Sequence, residues 1–424
     1  MGQKKKILTL GDHPLSPSGV GTQTKYFIEG LLATGNYQVI SLGGAIKHEN
    51  LNPVKTEEWG DDWVIHPVDG YGTKEMVRAI VRAERPDVVW FMTDPRFWGW
   101  LWEIENEIRP LAPMVYYHVW DNYPYPSYNK AAYESNDHVV TISKLTTDIV
   151  RTVAPAVDCT RIPHVPGPAF KIFTDEEKEH FKQNVTFPWD PADDKTLFFW
   201  NNRNARRKQS GSLIYWFKSF LDKVGHDKAS LILHTDPKDP HGQDLEYLLN
   251  TLGLTNGEVL LSTAKIPPEI LAGIYNIVDC TINISDAEGF GLSTLESLAC
   301  GTPIIVNMTG GLQEQVTDGE NWFGFGLEPT SKAIIGSQEI PMIYEDRLSE
   351  ESVVDALLRF FNLSQEEKDE MGRLGHEHVK ANYGLEETMK MWTETMDEII
   401  EKHGSWDNRK NYKSWYFEEI KKAA

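Results

Sequence analysis

Apolar residues along the chain fall into runs of four or five that alternate with stretches of helical, amphipathic spacing. The run 7–10 ends in a glycine-bearing loop, 11–21, after which 22–32 places Tyr26, Phe27, Leu31 and Leu32 at the three-to-four-residue interval of a helix. Further strand-length runs follow at 39–42, 88–92, 114–117 and 138–142, with the amphipathic stretch 74–85 among them. A polar, proline-containing stretch at 186–195 interrupts the pattern, which resumes at 196–200, 230–234, 259–262, 279–284 and 303–307. Strands that alternate with helices predict a parallel α/β sheet, and two successive series predict two Rossmann-like sheet domains. The boundaries drawn from this pattern are 1–172 and 173–395, with a helical segment at 396–424. The chain's end carries Trp392, Trp406, Trp415 and Phe417, too many large rings for a solvated tail, so it is expected to dock on one of the domains. Residues 323–344, with Gly and Pro, read as an irregular insertion.

Length agrees with the pattern, since 424 residues make two to three domains at roughly 100–200 residues each. The formal charge of −21 argues against a broad nucleic-acid or anionic-lipid surface. The excess is uneven: residues 1–172 carry 17 basic and 20 acidic side chains, so nearly all of the acidity lies in the second half. Cys159, Cys280 and Cys300 are too few and scattered for a disulfide framework or thiolate zinc site, which fits a reducing cytoplasm. No apolar run reaches the roughly 18 residues of a membrane span, and the lysines at 4–6 precede a strand-length run rather than a signal-peptide core.

Three segments carry candidate chemistry. Ser18-Gly19-Val20-Gly21 leads into a helix, where free amides and the helix dipole favour phosphate; a tight strand–helix turn would have the same sequence. Arg203, Arg206, Arg207 and Lys208 follow the strand 196–200 at the edge where open α/β sheets bind ligands, and stand out in an acidic half. Such a cluster can also merely balance neighbouring acids. The third segment runs from the strand 279–284 through Glu288-Gly289-Phe290-Gly291 into a helix starting near Leu292, so that loop amides converge at a helix N-terminus, with Glu288 in the loop and Glu296 on the helix.

These residues resemble a known family. Glu288 to Glu296 is similar to the Glu-x7-Glu signature of the family 4 retaining glycosyltransferases (group 1 glycosyl transferases), and Ala299-x-Gly301-x-Pro303 to Gly310-Gly311-x-x-Glu314 resembles the block that follows it. Arg203 and Lys208 have the spacing of its Arg-x4-Lys pair, and residues 18–21 resemble its N-terminal glycine loop. The four blocks stand in the family's order over residues 7–320. The resemblance implies the GT-B fold: two Rossmann-like domains facing a central cleft, the N-terminal one (1–172) on the acceptor side and the C-terminal one (173–395) binding the nucleotide sugar, with the terminal helix packing back on the N-terminal domain.

The implied activity is transfer of a sugar, with retention, from a nucleoside-diphosphate sugar to a hydroxyl of a glycan, glycolipid precursor or small molecule. By the same resemblance, Arg203 and Lys208 neutralise the donor diphosphate and Glu296 accepts from the ribose hydroxyls. Glu288 contacts the sugar, while Gly289, Phe290, Gly291 and Leu292 contribute amides. Gly19, Val20 and Gly21 approach the diphosphate, and His118, after the strand 114–117, bonds a reaction-centre oxygen. The implied mechanism is front-face attack without a side-chain nucleophile, cofactor or metal ion. A glutamine-containing turn, Gln209-Ser210-Gly211, departs from the family pattern, and Arg206 or Arg207 could share the phosphate role. His164 falls in the hinge region and reads as structural. Acceptor stacking is assigned to Trp120, Tyr123 and Tyr125 in an unusually aromatic stretch, 90–128, though most such rings pack cores. Alternatives on the same architecture are a nucleotide-sugar epimerase, a phosphorylase, or a transferase acting on modified DNA bases. Donor base and sugar, acceptor and oligomeric state are not readable.

Overall fold

The apolar runs become two largely parallel sheets in the computed structural model, which describes residues 4–120, 122–184 and 195–412. The chain divides into two units. One comprises Met1–Trp120, Tyr125–Pro163 and Glu386–Ala424; the other comprises Asp121–Pro124 and His164–Leu385.

The first unit holds eight strands in the spatial order Val54–Lys55, Trp63–Pro67, Tyr37–Gly44, Lys5–Asp12, Val88–Met92, Met114–His118, His138–Thr141 and Cys159–Arg161. All neighbours pair in parallel except the first two. The sequence pattern missed the strands at 54–55, 63–67 and 159–161, because each is too short or too polar to form an apolar run. A buried polar link holds one of them: Trp63 Nε1 donates to Ser41 Oγ at 3.0 Å, and Ser41 Oγ accepts from Thr9 at 2.7 Å.

The helix that follows the first strand is Gly19–Ala33, not 22–32 as the apolar spacing predicts. Ser18 explains the earlier start: its side chain accepts from Gly21 N at 2.9 Å as an N-cap, so the glycines form the first turn. The C-terminal helix Leu385–His403 belongs mostly to this unit. Trp392, 2% exposed, has ring centroids 4.6 Å from Phe27 and 4.9 Å from Tyr117. Trp406 Nε1 donates to Pro86 O at 3.0 Å, and Arg409 bonds Asp137 at 2.6 Å. Trp415 and Phe417 lie outside the described residues, as does most of the polar stretch 186–195.

In the second unit, six parallel strands run in the order Val259–Ser262, Ala229–His234, Thr196–Asn201, Cys280–Asn283, Ile304–Asn307 and Gly324–Leu327. Both sheet faces are buried, which is why its strands read as continuous apolar runs. Phe198 and Trp200 pack with Phe217, Phe220 and Phe360 on one face, while Phe199 packs with Tyr275 and Ile232 on the other.

Residues 323–344 are not irregular. They contain the sheet's edge strand Gly324–Leu327 and most of an antiparallel hairpin, Ser331–Ile335 with Ile343–Arg347. The glycine that made the stretch look like a loop is there for close approach: Gly324 has φ +150°, and a Cβ would lie 1.8 Å from Ile304 O. The hairpin's alternation was concealed by the exposed Lys332 and Ile334.

Candidate functional site

Strand order reverses in the second unit between Thr196–Asn201 and Cys280–Asn283. Beyond the carboxyl ends of such a pair lies the crevice where open α/β sheets bind ligands. The chain leaving the first strand carries residues 203–208, and the chain leaving the second carries 284–291, so the topology brings two candidate segments to one place. Backbone pairing joins them: Asp286 N donates to Arg207 O at 2.8 Å, and the Arg207 guanidinium donates to Ala287 O at 2.5 Å.

The four cations have separate jobs. Lys208, 8% exposed, forms an ion pair with Glu288, to which Asn283 Nδ2 also donates at 3.5 Å. Burial by itself would raise the Glu288 carboxyl, but the ammonium of Lys208 and the guanidinium of Arg207 outweigh it and hold the group below the usual glutamate range. Arg203 is exposed and bonds Asp239 through Nε at 2.6 Å and Nη2 at 3.1 Å; those bonds keep Asp239 far below the ordinary aspartate value. Arg206 grips the buried Glu345 of the hairpin with both terminal nitrogens.

Glu296 lies on the helix Leu292–Ala299, half-buried, and accepts from Tyr275 Oη at 3.2 Å; Tyr275 in turn accepts from Asn201 Nδ2 at 3.0 Å. Burial pushes its carboxyl up to about 8. Two glutamates of one motif are thus pushed in opposite directions: Lys208 and Arg207 favour the ionised form of Glu288, and burial favours the protonated form of Glu296.

The loop between them is held from below. Phe290 is buried with its ring centroid 5.0 Å from that of His164 and 5.8 Å from that of Tyr383, and its carbonyl accepts from Gln315 Nε2 at 2.7 Å. Gly311 N donates to Glu288 O at 3.1 Å, and Gly310, at φ +51°, passes so close that a Cβ would lie 1.7 Å from Glu288 O. Such contacts occupy the loop's carbonyls, while the first-turn amides of the helix after Gly291 have no intrahelical acceptor. The loop can therefore bind an oxyanion or hydroxyls on its amide side.

Sequence reasoning missed Asp286, Asp239, Tyr275 and the hairpin carboxylates. Asp286 is 2% exposed; burial pushes it up to about 6, against a 2.6 Å bond from Gln209 Nε2. The hairpin is anchored at three strand ends: Asp346 N to Asp286 O at 2.9 Å, Asn307 Nδ2 to Asp346 O at 2.7 Å, and Arg206 to Glu345. Asn122 Nδ2 also donates to Tyr344 O at 2.9 Å, and Tyr344 N donates to Tyr123 O at 2.5 Å. Tyr123 is thereby attached to the hairpin through its backbone.

The remaining candidates lie in the first unit. His118 ends its strand but is fully buried, with Nε2 3.0 Å from Tyr133 Oη and Nδ1 3.5 Å from Tyr116 Oη; burial pushes it down to about 3. Trp120 is 4% exposed and meets Tyr128 edge-on, whereas Tyr125 is exposed. Gly19, Val20 and Gly21 form the first helical turn, with the Gly21 amide already taken by Ser18. Among the described residues, no group of three or more His, Cys, Asp or Glu is placed to hold a metal ion, and no helix is long and apolar enough to cross a membrane.

Two Rossmann-like units, each with a reversed strand order, define the GT-B class of fold. The solved structures agree: sucrose-phosphate synthase from Thermosynechococcus elongatus superposes with a TM-score of 0.74 over 94% of this chain and 100% of that one, at 16% identity. The Anabaena protein Alr3699/HepE, in complex with UDP and glucose, does so with a TM-score of 0.67 over 93% and 100%, at 14% identity. Residues 186–368, which contain the site, match the family model of the glycosyl transferases group 1. A D-inositol 3-phosphate glycosyltransferase from Corynebacterium jeikeium (strain K411) is 30% identical over 179 residues, which is 42% of this chain and 39% of the relative's length.

Proposed function

We propose that the chain is a retaining, family 4 type glycosyltransferase of the cytoplasm that moves a sugar from a nucleoside-diphosphate sugar to a hydroxyl acceptor. The observation that carries this reading is the switch-point arrangement of the second unit. There a buried Lys208–Glu288 pair and the half-buried Glu296 flank a helix N-terminus. The match of residues 186–368 to the glycosyl transferases group 1 supports the same reading, as does the UDP and glucose in a structure of like fold.

In this reading Glu296 receives the ribose hydroxyls, which donate to it and draw it into its ionised form. The amides after Glu288 and the cations Lys208 and Arg203 face the diphosphate. Glu288, fixed by Lys208, accepts from hydroxyls of the donor sugar. The sugar's C1–O bond breaks with its electron pair going to the nucleoside diphosphate, whose growing charge the cations and helix amides stabilise. The departing phosphate oxygen takes the acceptor's proton as the acceptor oxygen bonds C1 from the same face. Arg206 is given no phosphate role in this scheme, because both of its terminal nitrogens hold the buried Glu345 of the hairpin, whereas Arg203 bonds Asp239 through Nε and Nη2 and keeps Nη1 for the diphosphate. His118 acts through Tyr133 and Tyr116, keeping its strand end in place.

Turnover tests the reading. The full chain, given UDP-glucose, ADP-glucose and GDP-mannose in turn, is expected to release nucleoside diphosphate from at least one, with proton NMR showing the donor's anomeric configuration in the first-formed product. Glu288→Gln is expected to slow release by about 100-fold, the scale of losing one transition-state contact. Equal, background-level release by both chains from every donor would end the proposal.

A further inference from the structure

We propose that Asp239 is a positioning residue for the donor diphosphate: it holds the guanidinium of Arg203 in one orientation and leaves a single nitrogen, Nη1, to meet phosphate. That Arg203 meets the diphosphate rests on the donor-site reading above; its fixation by Asp239 does not.

Arg203 has little of its own to fix it. It stands in the connection after the strand Thr196–Asn201, and its side chain is 60% exposed. A long side chain left free there would have to be ordered by the phosphate, at the expense of affinity. Asp239 removes that freedom in advance. It comes from a different connection, after the strand Ala229–His234, and its two oxygens accept from Arg203 Nε at 2.6 Å and Nη2 at 3.1 Å. Nη2 also lies 2.7 Å from His241 Nδ1, which accepts its second N–H in the tautomer protonated at Nε2. A guanidinium has five N–H donors, so these three bonds leave two, both on Nη1, which has no partner among the described residues.

The carboxylate is the fixed member of the pair. Its side chain is only 11% exposed, and Oδ1 accepts from His241 N at 2.9 Å within its own turn. Gly242 N closes that turn by donating to Asp239 O at 3.0 Å. Two further bonds tie the turn to the stretch that carries Arg203: Arg206 N donates to His241 O at 2.9 Å, and the buried Asn204 donates through Nδ2 to Gln243 O at 2.7 Å. Gly242 passes so near that a Cβ would lie 2.2 Å from Asn204 O. Contacts of the main chain therefore set where the carboxylate stands, and the carboxylate sets how the guanidinium is turned.

The pairing also changes what the site offers. Asp239 cancels the formal charge of Arg203, as Glu288 does that of Lys208, so Arg203 presents two directed N–H bonds more than net charge. Two consequences set this apart from a simple positive patch. A lysine at 203 cannot do the same, because Asp239 would take up its ammonium and no second planar edge would remain. Removing the Asp239 charge, which would strengthen an anion's binding to a positive patch, weakens it here.

Isothermal titration of the full chain with UDP, ADP and GDP tests this through a double-substitution cycle. Asp239→Asn keeps an oxygen for His241 N but presents an amide where the fork needs its second acceptor. It is expected to weaken the nucleoside diphosphate that the wild type binds by about tenfold, the scale of leaving one long side chain to be ordered on binding. In an Arg203→Ala background the same substitution is expected to cause no further loss, because Asp239 acts only through Arg203. Arg203→Lys is expected to bind no better than Arg203→Ala. Equal or tighter binding by Asp239→Asn, a further loss in the Arg203→Ala background, or binding by Arg203→Lys at the wild-type level would overturn the positioning role. Lys208→Met separates this from the reading beneath it: if that variant binds more weakly while Asp239→Asn does not, the donor site stands and the role of Asp239 falls. If the wild type binds none of the three, both fall.

Discussion

Glu296 and Glu288 show how environment divides identical side chains. Lys208 and Arg207 face Glu288 and hold it below the usual glutamate range; Glu296 accepts from the Tyr275 hydroxyl, and burial pushes it up to about 8. The folded chain binds that proton more tightly than the unfolded chain, so this group's contribution to stability is level below about pH 4.5 and declines as pH rises towards about 8. The ligand-free wild type is accordingly expected to lose melting temperature between pH 6 and pH 9 faster than Glu296→Gln does, with a difference of about 2–4 °C for each kcal/mol of linkage. Asp286 titrates in both chains and cancels from the comparison. Parallel melting curves would show that Glu296 is already ionised. At this scale the sequence placed both glutamates correctly, because a strand, a glycine loop and a helix in succession leave few positions for them. It could not apportion the cations: the partner of Arg206 lies 139 residues away, and nothing local distinguishes it from Arg203.

The elements that carry the site are short connections pinned by remote ones. The loop 288–291 rests on Gly310 and Gly311, and the hairpin Ser331–Arg347 is fastened to three strand ends through Glu345, Asp346 and Asp286. Glu345 is 1% exposed and keeps its charge because Arg206 and Arg347 both bond it. Arg206→Ala leaves Arg347 alone to compensate that carboxylate, and the hairpin is expected to loosen. Its backbone amides should exchange with deuterium at least tenfold faster, while those of the six-stranded sheet do not change. Unaltered exchange in the hairpin would mean that Asn307, which bonds Asp346 O, and Thr309, whose hydroxyl donates to Asp346 Oδ2 at 2.8 Å, suffice to hold it. The hairpin was illegible in the sequence for a physical reason: a two-stranded element with solvent on one side needs no apolar run, and its glycine and proline look like loop. The buried strands of both sheets, apolar on two faces, were legible to within two residues at each end, the widest misses being Lys5–Asp12 and Tyr37–Gly44, read as 7–10 and 39–42.

At the scale of the whole molecule, two units of similar topology carry different charge and different chemistry. The second unit, in the acidic half of the chain, concentrates cations and amides at its switch point. The first reverses its strand order between Lys5–Asp12 and Val88–Met92 and carries the carboxylates Asp12 and Asp94 there. Net charge therefore describes the surface and says little about either crevice. The sequence conveyed the two-sheet plan because buried parallel strands impose a visible period. It did not convey the strands at 54–55, 63–67 and 159–161, because each is too short or too polar to form an apolar run. The central claim is that the switch point of the second unit binds a nucleoside diphosphate. Isothermal titration of the full chain with UDP, ADP and GDP tests it directly. One of the three is expected to bind the wild type, and Lys208→Met and Glu296→Gln are each expected to weaken that binding at least tenfold. Failure of all three to bind at millimolar concentration, or equal binding by wild type and both variants, would contradict the account.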